Sequence, residues 1–384
     1  MTEQALIDIR RHLHAHPELS NQEEKTASFI EEKLRGFGLS NIERVARTGV
    51  VALVEGEKPG PTRAFRADID ALPITETRDV DYVSTNPGVM HACGHDVHTT
   101  VGLGVAQEVF RRRSELVGNV KFIFQPAEEA SPTDEPIGAE AMVQEGVLED
   151  PKVESVFAMH CMPSLEVGKI GYTSGPVWAG SELMEIEIAG KKAHGAYPHE
   201  GIDAVAVAAQ VLVALQQVVS RKIDARQSCV VTVGQIEAGN SYNILAERAS
   251  MTGILRGLSE EAMDTARQAI GEIVAHVPRG LGATGQVKFT PGARPVINDL
   301  DLENRAVKII ADKLGAERVT PFLPQLGAED FSAFSRRLPG CYLFLGVRNE
   351  EAGITSPLHT STFDVDEDCI GLGVAAMTEV LLGI

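Results

Sequence analysis

The feature that most restricts this chain is a series of short apolar runs, rich in β-branched and aromatic residues, interleaved with helical segments. GVVALVEG, TRAFRADID, NVKFIFQPAEE and VESVFAMH read as strands, several of them ending in polar residues. The glycine-punctuated VHTTVGLGVAQEVF between the second and third reads as a helix. Strands alternating with helices predict an α/β architecture, a mixed and mostly parallel sheet buried on both faces by flanking helices. Upstream, Leu6, Ile9 and Leu13 repeat at helical spacing, and EEKTASFIEEKLRGFG does so again, with Gly36 and Gly38 suited to its end.

The texture changes near residue 180. LMEIEIAG alternates as a half-exposed strand should, and IDAVAVAAQVLVALQQVVS follows as a long Ala/Val helix. Two strands, SCVVTVGQIEAG and RASMTGILRGL, flank the loop NSYNILAE, and the helix SEEAMDTARQAIGEIVAHV starts at Ser259 with Glu261 and Met263. This β-α-β-β-α-β order predicts an inserted α+β, ferredoxin-like unit over residues 181–293. VKIIADKLG, CYLFLGV and CIGLGVAAMTEVLLGI then return to α/β character, so the first domain is expected to comprise residues 1–180 and 294–384. At 384 residues the chain exceeds what one core usually serves, which agrees with two domains.

Charge removes several classes of partner. With 54 acidic against 35 basic side chains the net charge is −19, the wrong sign for neutralising phosphates, so no nucleic-acid partner is expected. No stretch approaches the roughly 20 unbroken apolar residues of a membrane span, and the N-terminus lacks the apolar core of a signal peptide. The expectation is a cytoplasmic protein. Cys93, Cys161, Cys229, Cys341 and Cys369 are odd in number and scattered, which suits a reducing compartment better than a disulfide framework.

The chemistry is concentrated where strands are expected to end. FRADIDALP carries Asp68 and Asp70; VMHACGHDVH carries His91, Cys93, His95, Asp96 and His98. FIFQPAEE ends in Glu128 and Glu129, FAMHCMP presents His160, and SPLHTSTF presents His359. Taken singly, His160 or His359 is an ordinary histidine, the two aspartates suit a turn, and the glutamates suit a solvated surface. The packed Cys/His/Asp run resists that treatment, because thiolate, imidazole and carboxylate are the ligands of zinc-like metals. Its Cys-Gly-His spacing is not that of a zinc finger, and glycine there lets the backbone turn sharply.

Together the clusters supply five strong ligands: Cys93, His95, Glu129, His160 and His359. One catalytic metal needs three protein ligands plus water, so five with one bridging fit two metals able to activate a water. Glu128 is then left to act as general base, taking the water's proton and passing it to the leaving amine.

These residues resemble the aminoacylase/carboxypeptidase G superfamily of metallopeptidases, in the amidohydrolase branch of hippurate hydrolases, indole-acetyl-amino-acid hydrolases and N-acetyl-diaminopimelate deacetylases. The likeness rests on RRHLHAHPELSNQE, RADIDALP, MHACGHDVHT, FQPAEE, the segment AMHCMP, GKKAHGAYPHEGIDA and LHTSTFDVDE, which span residues 10 to 368. It implies that Cys93 bridges two divalent ions, one also held by Glu129 and His359 and the other by His95 and His160. Glu128 would be the base, and Asp70 would orient a ligand. The resemblance further implies that His194 stabilises the oxyanion of the scissile carbonyl, that Asn243 and Arg256 hold the substrate carboxylate, and that the inserted unit acts as a lid that pairs two chains into a homodimer. The substrate expected is a small N-acyl amino acid. Zinc suits the ligands best, with manganese, cobalt or nickel as other occupants.

Two departures from that pattern stand out. A longer stretch, ASPTDEPIGAEAM with Asp134 and Glu135, follows the glutamate pair where many relatives have a short glycine-rich one, and this bears on substrate preference. Cys161 follows His160 and adds a second thiol beside the site, from which little change is expected beyond the sensitivity to oxidation that it could bring. The rival readings are a metallo-dipeptidase or aminopeptidase and a non-catalytic metal-binding protein on the same scaffold. A zinc nucleoside deaminase would need a P-C-x-x-C motif, and a dehydrogenase or kinase a phosphate-cradling glycine loop; neither occurs.

Overall fold

The computed structural model describes residues 1–130 and 136–384; Asp134 and Glu135 lie outside the described residues. The first part of the chain forms α1 (Glu3–Ala15), α2 (Glu24–Gly36), β1 (Ile42–Val45), β2 (Gly49–Glu55), β3 (Lys58–Asp68), α3 (His95–Arg111), β4 (Val117–Gln125), α4 (Gly138–Gln144), β5 (Val153–Glu166) and β6 (Ile170–Tyr172). Then come β7 (Pro176–Ala189), α5 (Ala204–Lys222), β8 (Cys229–Ala238), β9 (Arg248–Gly257), α6 (Glu260–Gly280) and β10 (Thr284–Pro291). The last part contributes β11 (Val296–Ile297), α7 (Leu300–Leu314), β12 (Val319–Pro321), β13 (Gln325–Ala328), α8 (Ser332–Ser335), β14 (Gly340–Arg348) and α9 (Asp368–Gly383).

Eight strands form one sheet in the order β1-β2-β4-β3-β5-β14-β6-β12. Its centre is parallel, β3 pairing with β4 and β5, and β5 with β14, while β1, β2 and the β14–β6 pair run antiparallel. Alternation decides which residues meet which helices. Phe122 and Phe124 of β4 join Phe65, Phe157 and Leu343 beneath α1, α2, α3, α7 and α9. Ile123, between them in sequence, points the other way and packs with Val156, Tyr342 and Phe344 against Met142 and Phe334 of α4 and α8. Burial on both faces explains why these strands read as unbroken apolar runs. Each buried phenylalanine contributes roughly 1.5–3 kcal/mol.

Residues 176–291 build a second sheet, β10-β7-β9-β8, antiparallel throughout, with α5 and α6 on one face. The strand order is that of a ferredoxin-like β-α-β-β-α-β unit, and the unit has its own core around Met184, Val211, Leu215, Met251 and Ile270. Ser259 caps α6, its hydroxyl accepting from the Ala262 amide at 3.1 Å. β7 runs unbroken through residue 180: its first half pairs with β11 and β13, its second with β9 and β10. With β11 and β13 the second sheet has six strands, and β7 joins them to the β-α-β-β-α-β unit.

The membrane expectation needs a correction of detail. α5 is long and apolar enough to span a bilayer by length and composition, with mean hydropathy 1.4. Its apolarity has another use, since Ala204, Val207, Ala208, Val211, Leu215 and Val218 face the second sheet.

Candidate metal centre and active site

β3 and β4 end side by side, and the polar residues that follow them converge with the start of α3. Between Cys93 and His95 the chain turns at Gly94, whose φ of 82° is left-handed. A Cβ at Gly94 would lie 3.0 Å from the Cys161 Sγ, so glycine is required for space as well as conformation. His95 is the first residue of α3. His160 does not end its strand: β5 continues to Glu166, and His160 sits within it opposite Phe344. Ala127, just before the glutamate pair, and His359 are both held at positive φ, 56° and 59°, a cost non-glycine residues bear where surrounding structure dictates it. The His359 amide donates to Ala92 O at 2.8 Å, fixing that turn against the Cys93 segment.

The five expected ligands come together as two triads. Cys93, His95 and His160 offer ligand atoms within 4.8 Å of one another, as do Cys93, Glu129 and His359, and Cys93 is common to both. His160 Nε2 lies 3.5 Å and His359 Nε2 3.3 Å from the Cys93 Sγ, and His359 Nε2 is 3.1 Å from Glu129 Oε1. The histidines are presented by their other nitrogens: His160 Nδ1 donates to Cys161 O at 2.6 Å and His95 Nδ1 to Asp70 Oδ1 at 3.2 Å. Each Nε2 is thus left facing the Cys93 thiol. Asp70 also accepts from the Glu129 amide at 3.0 Å and the Ser20 hydroxyl at 2.7 Å, so one carboxylate orients a ligand of each triad.

The donor set fits divalent metals. His95 Nε2 and Glu129 Oε1 are enclosed atoms without a hydrogen-bond partner, an arrangement too costly to keep unless a cation answers it. Burial, reinforced by Glu129 and Glu128, pushes the Cys93 thiol well above its usual range. Burial opposes a charge on His95, yet Asp68, Asp70 and Glu129 raise it to about 10. Both groups are thus poised to exchange a proton for a cation. Asp68, His95 and His98 form another close group, but His98 has no free nitrogen: its Nε2 accepts from the Cys161 amide at 2.8 Å, and its Nδ1 donates to Asp68 Oδ1 at 2.5 Å. His98 braces the backbone behind His160.

Glu128 stands beside the triads without belonging to either, within reach of His95 and Glu129 on one side and of Glu329 and Asp330 on the other. Burial and those neighbouring carboxylates push it well above the usual range. Glu329 and Asp330 escaped the reading of the sequence; an adjacent acidic pair before α8 was the available sign. Both are held by Arg66, which donates to Glu329 Oε1 and Asp330 Oδ1 at 2.9 Å each and to Asp68 Oδ2 at 2.6 Å.

These groups line a cavity of about 860 Å³, with Trp178, Ser181, Arg256 and Arg294 on another wall. Arg256 stands where a substrate-binding residue was expected. His194 and Asn243 do not: neither lines the cavity, and both are exposed on neighbouring segments joined by the Gly195 amide to Asn243 O bond of 2.8 Å. Within one chain, His194 is not at the metal centre. Cys161 is fully buried and burial pushes its thiol up, which disfavours the thiolate that oxidation needs. All five cysteines are buried and unpaired.

A mostly parallel α/β sheet carrying a Cys/His/Glu cluster beside a separate glutamate defines a metal-binding hydrolase. The chain belongs to peptidase family M20/M25/M40, whose model matches residues 64–383. It is 45% identical over 293 residues to an N-acyl-L-amino acid amidohydrolase of Geobacillus stearothermophilus, covering 76% of this chain and 78% of that one. A putative aminohydrolase from methicillin-resistant Staphylococcus aureus is 32% identical with a TM-score of 0.93, over 99% of this chain and 96% of that one. A Bacillus subtilis protein described as a dinuclear metal binding peptidase of the M20 family is 34% identical with a TM-score of 0.86, over 99% and 97%.

Proposed function

We propose that this protein is a two-metal amidohydrolase that cleaves N-acyl amino acids to a carboxylate and a free amino acid. The observation that carries the reading is the pair of ligand triads sharing Cys93, with Glu128 alongside both and in neither. The amidohydrolase from Geobacillus stearothermophilus and the dinuclear peptidase from Bacillus subtilis support it from similarity.

Cys93 would be the shared ligand, with Glu129 and His359 holding one ion and His95 and His160 the other. When bound, the ions supply Lewis-acid polarisation of the scissile carbonyl and of a water. Glu128 takes the water's proton and returns it to the leaving amine, work for which its raised proton affinity suits it. Asp70 keeps His95 and the Glu129 backbone in register. Arg256, whose Nε and Nη1 are enclosed without a partner, donates to the substrate carboxylate. Thiolate and imidazole ligands favour zinc, with manganese, cobalt or nickel as alternatives.

His194 and Asn243 enter the account from outside. Their roles in oxyanion and carboxylate binding require the second unit to close as a lid over the cavity, or a second copy to deliver them. A homodimer through this unit is supported by its surface. β8 is an open sheet edge, α5 exposes Val205 and Val213, and Ile236, Tyr242 and Ile244 are exposed nearby. The five unpaired cysteines accord with a cytoplasmic setting.

The test is a hydrolysis panel with metal-loaded enzyme. N-acetyl and N-benzoyl amino acids should be cleaved, and free-amine dipeptides at least roughly tenfold more slowly. Cleavage of dipeptides alone would replace this reading with that of a dipeptidase or aminopeptidase.

A further inference from the structure

Two half-buried guanidinium groups flank a single serine on the cavity wall. Arg256 of β9 and Ser181 of β7 are cross-strand partners. The Ser181 amide donates to Ala293 O at 2.8 Å and the Gly292 amide to Ser181 O at 2.9 Å, laying the segment that bears Arg294 along the other side of that serine. The Arg294 amide is itself anchored on the Ser332 hydroxyl at 3.2 Å. Arg256, Ser181 and Arg294 all line the cavity that holds Cys93 and Glu128.

Among the described residues neither arginine has a close ionic partner. Arg256 makes no ion pair among the described residues, and two of its nitrogens are enclosed without a partner. Arg294 reaches one carboxylate, Glu182, and only at 3.7 Å. Glu182 is already engaged by Arg267, Nε at 3.0 Å and Nη2 at 2.5 Å, so it has little left for a second cation. Among the described residues, the other acids of the cavity wall are committed as well. Arg66 holds Glu329 and Asp330, Arg337 holds Glu140 through both oxygens, and Glu128 and Glu129 belong to the metal chemistry. Arg336, at the rim, faces Glu260 at 3.5 Å.

A substrate with one carboxylate would satisfy Arg256 and leave Arg294, 31% exposed and 3.7 Å from a glutamate already engaged by Arg267, without a close partner on the cavity wall. We propose that the preferred substrates are N-acyl amino acids carrying two carboxylates, one bound by Arg256 and the second by Arg294. The second carboxylate belongs either to the amino-acid side chain or to the far end of the acyl group. This rests on the amidohydrolase reading and adds the second charge to it.

The experiment measures kcat/KM of the metal-loaded enzyme for N-acetylglutamate against N-acetylglutamine, and for N-succinylleucine against its terminal amide. At least one dicarboxylate should exceed its uncharged isostere by roughly ten- to a hundredfold, the usual worth of a charged hydrogen-bonded pair; which one does so locates the second carboxylate. Arg294→Gln should lower that ratio about tenfold or more, and Arg294→Lys should keep much of it. Ratios near one in the unmodified enzyme would overturn the proposal while leaving the amidohydrolase reading intact. A high ratio unmoved by Arg294→Gln would overturn it too, because the second carboxylate would then bind elsewhere. No hydrolysis of any of the four compounds would overturn the amidohydrolase reading and this proposal with it.

Discussion

Arg66 divides its guanidinium between Asp68, which braces His98 behind the ligand His160, and the pair Glu329 and Asp330, which faces the base Glu128. Removing it would leave two buried acids, Asp68 and Glu329, and the half-buried Asp330 without their cation. Burial and Glu329 already lift Asp330 to about 7 even with Arg66 beside it. Arg66→Met should therefore cost about 3 kcal/mol or more in urea denaturation, and a loss below about 1 kcal/mol would show that the acids find relief elsewhere. The ligands make a sharper prediction. His160→Ala and His359→Ala should each purify with one ion per chain fewer than the unmodified protein, and Cys93→Ala with neither, as counted by mass spectrometry of the metal. Equal metal in Cys93→Ala would remove the thiolate bridge. The ligands were legible because Cys, His and Glu announce metal chemistry by side-chain type. Arg66 was not, because an arginine within a strand is marked only by partners such as Glu329, distant in sequence and brought near by the fold.

At the scale of elements, helix α1 shows how the site is held from behind. Arg10 of α1 donates to Asp96, next to the ligand His95, and to Asp364 and Glu367, just beyond the ligand His359. His14, one turn on, contacts Asp96 at 2.7 Å and Glu76 at 3.3 Å. Burial alone would raise Glu76, but hydrogen bonds from His14, the Ser84 amide and Arg78 bring it down to about 2 from the usual 4.5. A depressed carboxylate contributes stability that is present above its unfolded value and lost as the pH falls through its folded one. Unfolding measured between pH 4.5 and 2 should show that loss, and Glu76→Gln should flatten it. An unchanged pH slope in Glu76→Gln would mean that Glu76 does not secure this network. The β-α-β-β-α-β unit was legible because alternation and helical periodicity are local. That β7 runs unbroken through residue 180 was not, because a strand can change partners without changing its pattern.

For the whole molecule, the separation of His194 and Asn243 from the cavity gives the proposed dimer a functional burden. Val213, 62% exposed on α5, should be covered in the dimer. Val213→Glu should shift the mass measured by light scattering toward that of a single chain. A monomer in the unmodified protein would leave lid closure as the route for His194. The account as a whole assigns metal binding and proton transfer to different residues of one fold. The measurement that tests this most directly is metal content and turnover together, on N-acyl amino acids, for the unmodified protein and Glu128→Gln. The variant should keep its full complement of metal and lose roughly 10²–10⁴-fold in kcat. Substantial activity in a fully loaded Glu128→Gln, or loss of metal along with the activity, would contradict it.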